Sequence, residues 1–135
     1  MRVCLDTNGL VAAFATRGLC ADVLRSVLAE HDLVIGGVIL VELHRVLRSK
    51  LKVPADRLDA IDAVFAPFPT IPKPDEPASD IIRDAADRWI VATAVAGNAD
   101  VLVTGDRDLL DVRAALPIRT LDPRAFWELL RTPQG

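Results

Sequence analysis

Val101-Leu102-Val103-Thr104-Gly105-Asp106 sets the reading of the whole chain: three apolar residues, then a hydroxyl, a glycine and an acid. A short apolar run without alternation reads as a strand buried on both faces, since a half-exposed strand would alternate polar and apolar residues. The chain opens in the same way. Arg2-Val3-Cys4-Leu5 is a short buried strand, and Asp6-Thr7-Asn8-Gly9 breaks it with turn-forming residues. Leu33-Val34-Ile35, ended by Gly36-Gly37, is a further strand, and Ile118 to Thr120 is the last. Helical spacing fills the intervals. Leu19, Val23 and Val27 recur within Leu10 to about Glu30, which Gly18 divides into two helices. Val38 to Ser49, Asp56 to Phe65, Asp87 to Ala96 and Pro123 to Leu130 read as further helices, with Gly97-Asn98 as the stop of the Asp87 helix. Strands alternating with helices imply an α/β fold: a central parallel sheet in a three-layer α/β/α arrangement. Such sheets bind ligands at the carboxyl ends of their strands. Asp6 and Asp106 each follow a strand, so both are expected at one rim of the sheet.

The chain has 135 residues, 51% of them hydrophobic, which is enough for one packed core and argues against disorder. Residues 1–135 are read as a single domain. Pro67, Pro69, Pro72, Pro74 and Pro77 make a loop around at most a short edge strand. With 16 Lys plus Arg against 19 Asp plus Glu, the net charge of −3 gives no general attraction to nucleic acid. Any RNA binding must therefore use a local basic stripe or a metal. Cys4 and Cys20 lack CxxC spacing, and no apolar stretch reaches the length of a membrane span. The expectation is a cytoplasmic protein with reduced thiols and no membrane partner.

Four acids each have an ordinary structural explanation. Asp6 can make an Asx turn, Asp87 and Asp106 can cap helices, and Glu42 can pair with Arg45 on its own helix. Their contexts say more. Glu42 interrupts the otherwise apolar run Val38-Ile39-Leu40-Val41-Glu42-Leu43, where a carboxylate needs a partner or a cation to offset its desolvation. Asp87 opens a helix of small apolar residues. Carboxylates gathered at one rim repel each other, and a hard divalent cation with oxygen ligands relieves that repulsion. Mg²⁺ or Mn²⁺ held there would suit metal-assisted phosphodiester hydrolysis. Neither His31 nor His44 suits general-base work. The chain has no glycine-rich phosphate loop, no Ser-His-Asp arrangement and no zinc-ligand spacing.

Four segments together resemble the PIN-domain family, and within it the toxin ribonucleases of bacterial toxin–antitoxin pairs. They are Leu5-Asp6-Thr7-Asn8, Leu40-Val41-Glu42-Leu43 with Val46-Leu47, Asp87-Arg88-Trp89-Ile90-Val91-Ala92-Thr93-Ala94, and Val103-Thr104-Gly105-Asp106-Arg107-Asp108-Leu109. The resemblance implies a Mg²⁺- or Mn²⁺-dependent endoribonuclease with a PIN-like fold. It implies that Asp6, Glu42, Asp87 and Asp106 are the metal-binding, catalytic quartet, with Asp108 as an auxiliary acid and Asn8 and Thr104 as supporting polar residues. It also implies a homodimer, an RNA substrate and a small antitoxin protein as partner. Two departures stand out. Asp84-Ala85-Ala86-Asp87-Arg88-Trp89 keeps the family's acids before this helix but lacks a proline, so Asp84 competes with Asp87 for the ligand role; helix register favours Asp87. Gly36-Gly37 stands where the family often has a hydroxyl.

Arg88 and Arg107 adjoin the proposed ligands and are the favoured RNA contacts; Arg45, Arg48, Lys50 and Lys52 form a basic run after Glu42. One alternative is a PIN-like fold used only as a binding module. Another is a small phosphatase of the haloacid dehalogenase type. That type wants a second Asp two residues after the first, where this chain has Asn8, and a well-placed lysine, whereas its lysines are Lys50, Lys52 and Lys73.

Overall fold

A computed structural model describes residues 1–132. Its centre is a five-stranded parallel sheet in the order β3-β2-β1-β4-β5. The strands are β1 (Arg2–Leu5), β2 (Asp32–Gly36), β3 (Thr70–Ile71), β4 (Val101–Val103) and β5 (Arg119–Leu121). Helices flank the sheet: α1 (Thr7–Ala15), α2 (Leu19–Glu30), α3 (Gly37–Arg45), α4 (Ala55–Phe65), α5 (Ala85–Ala96), α6 (Arg107–Asp111) and α7 (Pro123–Arg131). The expected α/β/α architecture is the one observed. Val3, Cys4, Val34, Ile35, Val101 and Leu102 are almost wholly buried, which is why the strands carry no alternation.

The strand order fixes where a site can lie. From β1 the chain steps outward to β2 and β3, then returns to lay β4 on the other side of β1. The connections leaving β1 and β4 thus diverge, and a crevice opens between their carboxyl ends. Leu5 pairs with Val103, and the pairing runs one step further, since the Asp6 amide donates to the Val103 carbonyl at 3.2 Å.

Several boundaries differ from the sequence-based expectation, each for a local reason. Asp87 does not open its helix. Asp84 caps α5 by accepting from the Ala86 amide, which moves the start back to Ala85. The helix expected to end at Ser49 gives way to a π-helical turn at Val46–Lys50, after which Lys52 takes φ 55°. α6, of five residues, is too short to show a periodicity and escaped the sequence reading. β5 lies one residue later than expected, and the proline-rich stretch does hold a two-residue edge strand. Asn98 supplies the left-handed residue after α5, with φ 55°.

Gly36 and Gly97 serve close packing of α5 on β2. A Cβ at Gly36 would lie 2.3 Å from Thr93 Cγ2, and one at Gly97 would lie 2.4 Å from Val34 Cγ1. The glycines therefore let helix and sheet approach closely, and this sets the depth of α5 and of Asp87 upon it. Gly36→Ala is expected to cost about 1–3 kcal/mol by overpacking. Thr93→Ser removes the clashing methyl and keeps the hydroxyl that donates to the Trp89 carbonyl. Adding it to Gly36→Ala should recover most of the loss in a denaturation double-mutant cycle; strict additivity would refute the contact.

Candidate functional site

Asp6 follows β1 and is 3% exposed. As N-cap of α1 it accepts the Gly9 amide on Oδ1 at 2.8 Å. Its Oδ2 accepts the Thr104 hydroxyl at 2.6 Å. Thr104, one residue past β4 and equally buried, accepts in turn the Asp106 amide at 3.0 Å. Asp106 caps α6, with Oδ1 accepting from the amides of Asp108 and Leu109. The ordinary capping role and the proposed ligand role therefore coincide. Helices that begin where buried strands end need caps, and their N-termini favour negative charge there.

Asp87 lies in the first turn of α5, buried, and its Oδ2 has no hydrogen-bond partner. Burial pushes its pKa up to about 7, and the charges of Asp106 and Asp84, a side-chain hydrogen bond with Asp106 and the charge of Asp6 add to the shift. Asp6 is also raised. Burial dominates, its hydrogen bonds from Thr104 and Gly9 oppose, and the charges of Asp106 and Glu42 add. Asp6, Asp87 and Asp106 thus sense one another across the crevice, and Glu42 reaches it electrostatically from α3. Asp84 is exposed and commits Oδ1 to the Ala86 amide, whereas Asp87 is buried.

Other candidates take different places. Glu42 is less embedded than its apolar neighbours suggested. Val41 is 72% exposed, and Glu42 lies 3.9 Å from Arg45 Nη2 on the same helix. Asn8 is exposed, whereas Thr7, which sequence reasoning passed over, is buried with an unpartnered Oγ1. Asp108 faces Arg83 at 4.0 Å. Arg107 is exposed beside Asp106. Arg88 has an internal task. Its Nε donates to the Ile82 carbonyl at 2.7 Å and its Nη2 to that of Arg83 at 3.4 Å. With Lys73 Nζ 4.3 Å from the Trp89 ring centre, it ties the loop before α5 onto the first turns of that helix. Both cysteines are free, and burial, with the Asp6 charge, pushes the Cys4 thiol up to about 12.

The donor set fits a hard cation. It is all carboxylate oxygen at its core, it is self-repelling, and one buried oxygen lacks any donor. Yet among the described residues no three His, Cys, Asp or Glu side chains stand together as a group ready to hold an ion.

The raised Asp87 gives a metal-free test. The folded chain binds this proton more tightly than the unfolded one, whose carboxyl stays near 3.8. That contribution to stability is whole below 3.8 and is lost as pH rises through about 7. With EDTA present, Asp87→Asn should raise Tm at pH 8 by roughly 3–6 °C, the shift that about 1 kcal/mol makes in a domain of this size. The gain should vanish near pH 4. An equal effect at both pH values in thermal melts would overturn the assignment.

A family model for the PIN domain matches residues 2–108. Among solved structures, the chain is similar to VapBC2 from Rickettsia felis bound to a DNA fragment from their promoter, with 21% identity, a TM-score of 0.64, and 90% of this chain and 98% of that chain covered. It is also similar to FitAcB from Neisseria gonorrhoeae, with 20% identity, a TM-score of 0.60 and the same coverage, 90% and 98%. At these identities the likeness speaks for the fold. No curated protein matches the chain. The family match runs from β1 to the first residues of α6, takes in Asp6, Glu42, Asp87 and Asp106, and leaves no place for the phosphatase alternative: the chain belongs to the PIN-domain family.

Proposed function

We propose that this chain is a divalent-metal-dependent endoribonuclease and the toxin component of a toxin–antitoxin pair. The observation that carries the reading is the buried Asp87 carboxylate, one oxygen unpartnered, set against Asp6 and Asp106 at the crevice between β1 and β4. Family membership supports nuclease chemistry, and the two similar structures are of the complexes named VapBC2 and FitAcB.

Asp6, Asp87 and Asp106, with Glu42 from α3, would hold Mg²⁺ or Mn²⁺. The chemistry such an ion supplies when bound is charge neutralisation at the scissile phosphate and a lower pKa for the attacking water. The rest falls to the chain. The Thr104 hydroxyl holds Asp6 Oδ2 in place and aligns the Asp106 backbone. Gly9 leaves room for Asp6, since a Cβ there would lie 2.9 Å from Oδ1. Asp106 commits Oδ1 to α6, which leaves its second oxygen for the site. Arg107, exposed beside Asp106, is the nearer cation for an RNA phosphate now that Arg88 is engaged elsewhere.

The partners implied are RNA, a second copy of the chain and a small antitoxin protein. No helix among the described residues is long and apolar enough to cross a membrane. A cytoplasmic location is part of the same reading. One observation favours the alternative of a non-catalytic binding module: the acids do not yet form a closed ligand group.

The test is cleavage of labelled single-stranded RNA with Mg²⁺ or Mn²⁺. Asp6→Asn and Asp87→Asn should each lower the rate by about 100-fold or more, since even disturbing the partners of metal ligands costs 10- to 100-fold. EDTA should abolish cleavage. Asp84→Asn keeps the helix cap and should cost no more than a few-fold. Metal binding without cleavage of any RNA offered would favour the binding module.

A further inference from the structure

The run after Glu42 is the most basic stretch of an acidic protein. Between Arg45 and Lys52 stand Arg45, Arg48, Lys50 and Lys52 without one acid, although the chain holds 19 acids and carries net charge −3. Folding turns part of that run into a surface feature. Leu40, Val41, His44, Arg45 and Arg48 line an open cleft of about 500 Å³ along α3 and the π-helical turn. No carboxylate lines it. Its floor is apolar and exposed, with Val41 at 72%. The His44 ring is fixed by a hydrogen bond to Asp62 on α4. Arg45 is held at one end by Glu42, at 3.9 Å, whereas Arg48 makes no ion pair among the described residues. The cleft therefore adjoins Glu42 through Arg45, with guanidinium groups and an apolar surface in its lining.

An exposed apolar surface beside guanidinium groups is complementary to single-stranded nucleic acid, whose bases offer faces for apolar contact and whose phosphates take guanidinium. It is less suited to a duplex, which hides the base faces. We propose that this cleft seats the RNA strand flanking the scissile bond, with a base over Leu40 and Val41 and phosphates at Arg45 and Arg48. The proposal rests on the ribonuclease reading. It gives a place to the local basic stripe that the net charge of −3 requires of any RNA binding.

The experiment is fluorescence anisotropy of a labelled single-stranded RNA of about a dozen nucleotides, bound to the full chain in Ca²⁺ across a salt series. Arg48→Gln should lower the slope of log affinity against log salt by about 0.7, the loss of one single-strand phosphate contact, which is about eightfold in affinity at 50 mM salt. Val41→Asp places an acid on the exposed floor, threatens no core packing, and should weaken binding at least as much. Arg25→Gln removes the same charge from an exposed site on α2 and serves as the control, expected to leave the slope unchanged. If Arg48→Gln and Val41→Asp bind RNA as wild type does, the track is refuted while metal-dependent cleavage lost in Asp6→Asn still supports the nuclease. If Val41→Asp instead changes oligomeric state or loses a protein partner at unchanged RNA affinity, the cleft is a protein interface and the proposal fails. If wild type binds no RNA, the track and the reading beneath it fall together.

Discussion

The hydroxyl of Thr104 stands between two acids, and the rest of the site is arranged around it. It donates to Asp6 Oδ2 at 2.6 Å and accepts the Asp106 amide at 3.0 Å. That pair of bonds joins the ends of β1 and β4 where the strand order turns. It fixes one carboxylate by its side chain and the other by its backbone. A threonine can do both because its hydroxyl donates once and still accepts. A valine of the same shape would pack as well and would leave Asp6 short of one donor in a buried place.

The acids then divide by how their charge is answered. Asp6 and Asp106 sit at helix starts, where amide donors and the helix dipole favour a carboxylate. Asp87 has neither. α5 is capped by Asp84, and the close approach of this helix to β2 carries Asp87 inward. The loop before α5 is tied down by Arg88 and by Lys73 over Trp89. Burial and repulsion accumulate on the one member without a donor, which is where a divalent cation would contribute most.

Much of this was legible in the sequence, and the misses share a cause. The apolar runs at Val3, Val34 and Val101 gave the parallel sheet because strands buried on both faces cannot alternate. The fold class alone then set Asp6 and Asp106 on one rim. What escaped depends on details shorter than any periodicity. α6 spans barely more than one turn. The start of α5 turns on one cap, Asp84, three residues before Asp87. Arg88 reads as a free cation beside a ligand until the loop carbonyls it holds are seen. Glu42 looked buried because its neighbours are apolar, but a helix over a sheet hides only one of its sides, and Val41 faces out. Thr7 had no signal beyond standing next to Asp6.

The central claim is that the acid cluster carries uncompensated charge that a divalent cation relieves. It is tested most directly by calorimetric titration of Mn²⁺ into the metal-free chain, in buffers of different ionisation enthalpy, so that released protons are counted. Burial and neighbouring charges raise the Asp87 carboxyl, so binding at pH 7 should expel protons, because the ligand must be deprotonated. The release should shrink by pH 8.5 and be smaller in Asp87→Asn. Absence of Mn²⁺ binding, or binding whose proton release is the same in Asp87→Asn as in wild type, would contradict the account.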